Sequence, residues 1–159
     1  MTLKMARGWR FGLTDNFVIT DENGKELYTA KGNAIKQQLF DLSGNLLGVL
    51  DSGKGVIARL AEIREYTLYV DGKKVGLYRR NEKLIGYEYE FEGLPWTFDR
   101  ANDEIKEGDN VLATLKDATS FFLHFLSFAS RKYEADVPNE EHAVPAALVT
   151  LGWHYFESR

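Results

Sequence analysis

The chain has 159 residues, 44% hydrophobic and 28% charged, with a net charge of −4 and no cysteine. A chain of this length buries about 70% of its unfolded surface, so it forms a core without staples. The missing cysteine excludes disulfides, thiolate zinc sites and thiol catalysis, and the acidic balance argues against general nucleic-acid binding.

Residues 1–12 carry Lys4, Arg7 and Arg10 but no apolar run. They are expected to form an N-terminal extension or a first strand, with no signal peptide. One pattern then recurs: an alternating segment, a turn with Asp and Gly, and a second alternating segment. Phe17–Thr20 leads through Asp21-Glu22-Asn23-Gly24 into Glu26–Ala30, and Gln37–Phe40 leads through Asp41-Leu42-Ser43-Gly44 into Asn45–Leu50. Tyr66–Val70 meets Asp71-Gly72, and Lys74–Tyr78 returns. Gly and Asn supply the positive φ of tight turns and Asp accepts hydrogen bonds from its own backbone, so each unit predicts a hairpin. Asp71-Gly72 fits a two-residue turn.

Tyr87–Glu92 alternates ring and carboxylate throughout, which puts Tyr87, Tyr89 and Phe91 on one face and Glu88, Glu90 and Glu92 on the other. Gly93-Leu94-Pro95 interrupts it, and Trp96–Phe98 and Val111–Leu115 predict further strands. Thr119–Ala129 fits helical spacing through Phe121, Phe125 and Phe128 and strand spacing through Phe122, His124 and Leu126; strand is the preferred reading. Ala143–Trp153 is apolar all round, which belongs inside a core or a membrane. A span needs about 20 residues, so the prediction is a core helix from Pro145 to about Phe156. A helix about 10 Å across suits a barrel of roughly twelve strands. The fold expected is therefore mainly β, an antiparallel barrel of successive hairpins around a C-terminal apolar helix. Residues 1–159 read as one soluble, cytoplasmic domain.

The segments Phe17–Asn33, Leu39–Leu50, Tyr66–Arg80 and Ala143–Phe156 resemble the LURP-one-related family, within the tubby-like C-terminal domain superfamily that includes phospholipid scramblases. The resemblance spans most of the chain and implies a twelve-stranded barrel around a central hydrophobic helix. In that superfamily tubby proteins bind phosphoinositides and scramblases are linked to lipid movement, which implies phospholipid binding here. This chain departs from the scramblase pattern in having no cysteine to palmitoylate, and from the family's helix in carrying Pro145. None of tubby's lipid-binding positions is carried over.

Charge is uneven: residues 54–83 hold eight basic side chains against four acidic, and residues 84–117 hold nine acidic against three basic. Lys73, Lys74, Arg79, Arg80 and Lys83 surround one predicted hairpin and form the candidate lipid- or anion-binding set. Their plain alternative is solvated residues guarding a strand edge, and alternation puts Arg79 and Arg80 on opposite faces. Phe121, Phe122, Phe125 and Phe128, beside Arg131 and Lys132, read as core before an interfacial wedge. Glu88, Glu90 and Glu92 read as a solvated face, since strand neighbours two apart lie about 6.8 Å from one another.

Ser52-Gly53-Lys54-Gly55 lacks phosphate-loop spacing and predicts a turn. His124, His142 and His154 show no metal or catalytic spacing, and His154 is expected to cap the helix end. No catalytic residue, metal ligand or cofactor is predicted, so the reading is non-enzymatic. Three occupations stay open: an anionic phospholipid surface, a protein partner engaged through loops such as Asp99–Asn110, and an apolar ligand inside the barrel.

Overall fold

In the computed structural model, described for residues 1–8, 14–55, 58–119 and 132–158, the chain forms twelve antiparallel strands in a nearly closed barrel around one helix. The strands are β1 (Thr2–Arg7), β2 (Asp15–Thr20), β3 (Glu26–Gly32), β4 (Lys36–Asp41), β5 (Leu46–Asp51) and β6 (Glu65–Val70). They continue as β7 (Lys73–Glu82), β8 (Tyr87–Glu92), β9 (Thr97–Asp99), β10 (Glu104–Glu107), β11 (Asn110–Asp117) and β12 (Lys132–Asp136), followed by α1 (Ala143–Glu157). Sheet order runs β8 to β1 in sequence, then β12 to β9. The first and last strands therefore lie side by side, with Thr2 opposite Asp136 and Ala6 opposite Lys132.

Turn chemistry accounts for the hairpins. Asp21 Oδ1 accepts from the Asn23 and Lys25 amides, and Asp41 Oδ1 accepts from those of Ser43 and Asn45. The two turns are one device used twice. Asp71 and Gly72 both adopt positive φ, 51° and 76°, as a two-residue turn that follows strand twist requires. Alternation holds along β8, where Tyr89 and Phe91 are buried and the three glutamates are exposed.

The remaining two strand edges, β8 and β9, face each other across a seam. No backbone hydrogen bond joins them among the described residues. Side chains close the gap: Tyr89 packs on Phe98 with ring centroids 4.9 Å apart, Phe91 on Trp96 at 5.6 Å, and Arg100 Nη1 donates to the Tyr87 carbonyl at 2.7 Å.

The helix occupies the interior, where residues 146–156 are all buried. An apolar ligand of the lipocalin type would need that same position. Two glycines set how closely helix and wall approach. A Cβ on Gly48 would lie 2.8 Å from Leu148 Cδ1, and one on Gly152 would lie 2.9 Å from Tyr78 Cε1.

Several expectations change. The helix begins at Ala143 rather than Pro145, so Pro145 is the third helical residue. Its missing N–H falls among the first-turn amides that have no intrahelical partner, which makes proline harmless there. The stretch Asp99–Asn110 is not an open loop: β10 lies within it, with Ile105 fully buried and paired to both β9 and β11. β12 starts after the segment that hydropathy picks out; residues 120–131, with Phe121, Phe122, His124, Phe125, Leu126, Phe128 and Arg131, lie outside the described residues. His154 is core rather than a solvated cap: it is 3% exposed, and its Nδ1 lies 2.9 Å from the Tyr133 hydroxyl.

The glycine contact yields a test. Gly152→Ala should destabilise the protein by about 1–3 kcal/mol through overpacking, although alanine favours helix by about 1 kcal/mol. Urea midpoints measure this, and an unchanged or raised midpoint would mean that Tyr78 yields to the methyl group.

Candidate functional site

An up-and-down barrel sorts its connections to two ends. The β2–β3, β4–β5, β6–β7, β8–β9 and β10–β11 turns lie at the end where α1 begins, here the entry end. The β3–β4, β5–β6, β7–β8 and β9–β10 connections lie, in their described residues, at the exit end, where α1 stops.

Charge separates along this axis. Among the described residues, the exit-end connections carry the cations Lys54, Arg59, Arg64, Lys83 and Arg100 against Glu62 and Asp103. The entry-end connections carry Asp21, Glu22, Asp71, Asp109, Glu140 and Glu141 against Lys25 and the terminal amine. Lys54 and Arg64 also border an open cleft of about 350 Å³ with Ser52, Gly53, Glu62 and Glu65. Ser52–Gly55 is irregular chain rather than a regular turn, with the Gly53 amide donating to Asp51 Oδ1 and the Lys54 amide to Ser52 Oγ.

The five basic residues marked from the sequence spread along β7 and its end. Lys73 and Lys74 are exposed at the entry end and make no ion pair among the described residues. Lys83 lies at the exit end, ten residues or roughly 33 Å of strand away. Arg79 faces outward between Glu65, Glu92 and Glu90, at 2.7, 2.9 and 3.7 Å. The hydrogen bond to Glu65 is the largest influence on its guanidinium, and it raises the pKa. Arg80, on the opposite face, donates from Nη1 to the Phe156 carbonyl at 2.5 Å and so caps the helix. The acidic row is a solvated face that also pairs with β7 and its turn, Glu88 meeting Lys83 Nζ at 2.9 Å.

Two polar clusters escape the sequence reading. At the exit end, Glu157 accepts from the Tyr87 hydroxyl at 2.9 Å and the Tyr89 hydroxyl at 2.5 Å. A carboxylate is disfavoured at a helix C-terminus, and these donors offset that cost. Arg80 and Arg100 stack on the Tyr87 ring at 3.6 and 3.7 Å, distances that require opposite faces. Asp103 nearby is held above its ordinary pKa, by burial first and then by the Glu157 charge.

The second cluster threads the core. Arg7 pairs with Asp15 at 2.5 Å, the Tyr155 hydroxyl donates to Asp15 Oδ2 at 3.0 Å, and Gln37 Nε2 donates to the Tyr155 oxygen at 2.6 Å. Strand parity was the available signal, because Asp15 shares the inward register of Phe17 and Ile19. Burial raises the Tyr89 phenol far above its ordinary range, with neighbouring Tyr78 and Glu157 adding to the shift. Burial, then the Asp15 charge, does the same to Tyr155. A phenol made harder to ionise is not a base. No group of three or more metal-ligating side chains occurs among the described residues, and none of the described helices is long and apolar enough to cross a membrane.

The class so defined is a helix-filled, twelve-stranded antiparallel barrel. It is similar to the X-ray structure of an Arabidopsis thaliana protein, AT5G01750, with 18% sequence identity and a TM-score of 0.52 over 95% of this chain and 89% of that one. At that identity the likeness is one of fold alone. No protein-family model matches the chain, and no curated protein matches it.

The buried phenols predict an alkaline limit. Tyr78, Tyr89 and Tyr155 all have raised pKa values from burial, so the folded state holds their protons more tightly than the unfolded state does. Their stabilisation is full below pH of about 10 and is lost as pH rises above it. Phenolate absorbance should show at least these three of the eight tyrosines still protonated where the urea-unfolded chain has ionised fully.

Proposed function

We propose that this chain is a single, non-enzymatic, cytoplasmic binding domain of the LURP-one-like, tubby-like kind, and that it docks on anionic phospholipid surfaces through its exit end. The observation that carries the reading is the separation of loop charge along the barrel axis, with five loop cations against two loop carboxylates at one end among the described residues. The hairpin order, the terminal apolar helix and the Arabidopsis fold likeness support the family reading. Of the basic residues first marked from the sequence, Lys83 belongs to this surface; Lys73 and Lys74 lie at the other end, and Arg79 and Arg80 serve ion pairs and the helix cap.

Each loop cation near an anionic leaflet is worth about 1 kcal/mol, and Arg64 and Lys83 already pair with Glu82 and Glu88, so the attachment is weak and salt-sensitive. Flotation with phosphatidylserine-containing vesicles should show binding at low salt that falls at physiological salt and is absent from neutral vesicles. K54E/R59E should remove it, whereas K73E/K74E should not. Equal loss in both variants would place the surface elsewhere. If no vesicle is bound but one stoichiometric protein partner is captured, the protein-interaction reading replaces this one.

A further inference from the structure

Leu84 and Ile85 form the tip of the β7–β8 turn, with relative exposures of 103% and 90%. The turn itself does not require them. Gly86 supplies the positive φ of 78°, and the Lys83 amide donates to the Gly86 carbonyl at 3.0 Å. Turn centres ordinarily carry small or polar residues, as the Asp21–Gly24 and Asp71-Gly72 tips of this chain do. Two adjacent aliphatic side chains held fully in water therefore ask for an occupant.

The surroundings indicate which occupant. Lys83 is part of the tip, the Arg64 carbonyl accepts from the Arg80 amide beside it, and Arg100 lies 3.6 Å from where a Gly86 Cβ would stand. Arg64 and Lys83 are paired with Glu82 and Glu88. Both pairs are solvent-exposed, with about half of each side chain accessible. Such exposed pairs are weak enough to exchange a carboxylate for a lipid phosphate. The tip is also rigid at its root, where Tyr87 is clasped by Arg80 and Arg100, so little ordering is needed on docking. Among the described residues a second exposed apolar pair, Leu42 and Leu46, is 60% and 46% exposed and borders the acidic entry end.

We infer that the β7–β8 tip is a membrane-inserting element: Leu84 and Ile85 enter the acyl boundary of an anionic bilayer while Lys83, Arg64 and Arg100 contact its headgroups. This rests on the lipid-surface reading above and adds an apolar contribution to it. The cysteine-free chain allows single-site labelling, so I85C and L42C can each carry an environment-sensitive NBD dye. On phosphatidylserine-containing vesicles the I85C label should shift to the blue and the L42C label should not. L84S/I85S should weaken vesicle partition about tenfold or more while leaving the thermal midpoint unchanged, since neither side chain packs on the barrel. Vesicle binding with no blue shift and no loss in L84S/I85S would overturn insertion and leave purely electrostatic docking. If the unaltered protein binds no vesicle, both readings fall.

Discussion

An apolar helix with no polar face must be surrounded on every side, and the rest of the architecture follows from that. Residues 146–156 of α1 are buried without interruption, so a one-sided sheet could not satisfy it. Twelve strands about 4.8 Å apart, tilted by about 40°, close at a radius of roughly 12 Å. The helix with its side chains has a radius of 5–6 Å, and the inner side-chain layer of a sheet takes up about 5 Å more. Twelve strands thus enclose one helix with little room to spare, and eight would not. Gly48 and Gly152 mark where even that room runs out, opposite Leu148 and Tyr78.

Closure depends on the helix in return. The two free strand edges meet at β8 and β9 through rings and one arginine rather than through a ladder. The C-terminal turn of α1 is fastened beside this seam, Glu157 to Tyr87 and Tyr89 and the Phe156 carbonyl to Arg80. Phe156 also packs on Tyr78 and Tyr89, with centroids 5.1 and 5.7 Å away. The helix end therefore acts as the clasp that backbone pairing does not provide.

Much of this was legible in the sequence, for reasons that are local. Asp-to-Gly turns, the ring and carboxylate alternation of β8 and an apolar run too short for a membrane each carry their own physics within a few residues. What escaped is non-local. β10 has four residues and one buried side chain, Ile105, and its identity as a strand comes from β9 and β11 on either side. His154 looks like a terminal cation until Tyr133, on the wall, places it in the core. Arg80 could be assigned to a face by parity, but not to the Phe156 carbonyl, which lies 76 positions away in the chain.

Charge shows the same limit most clearly, and its consequence is functional. The basic stretch at 54–83 and the acidic one at 84–117 suggest asymmetry along the chain, yet an up-and-down barrel sends alternate connections to opposite ends. Lys73 and Lys83 part company, while Lys54 and Arg100, far apart in sequence, come to the same end. Six-residue strands make the wall about 20 Å long, more than twice the Debye length of about 8 Å at physiological ionic strength. Each end is therefore largely screened from the other. The net −4 of the whole chain thus describes neither end by itself, and the charge of each end is set by the connections that the strand directions gather there.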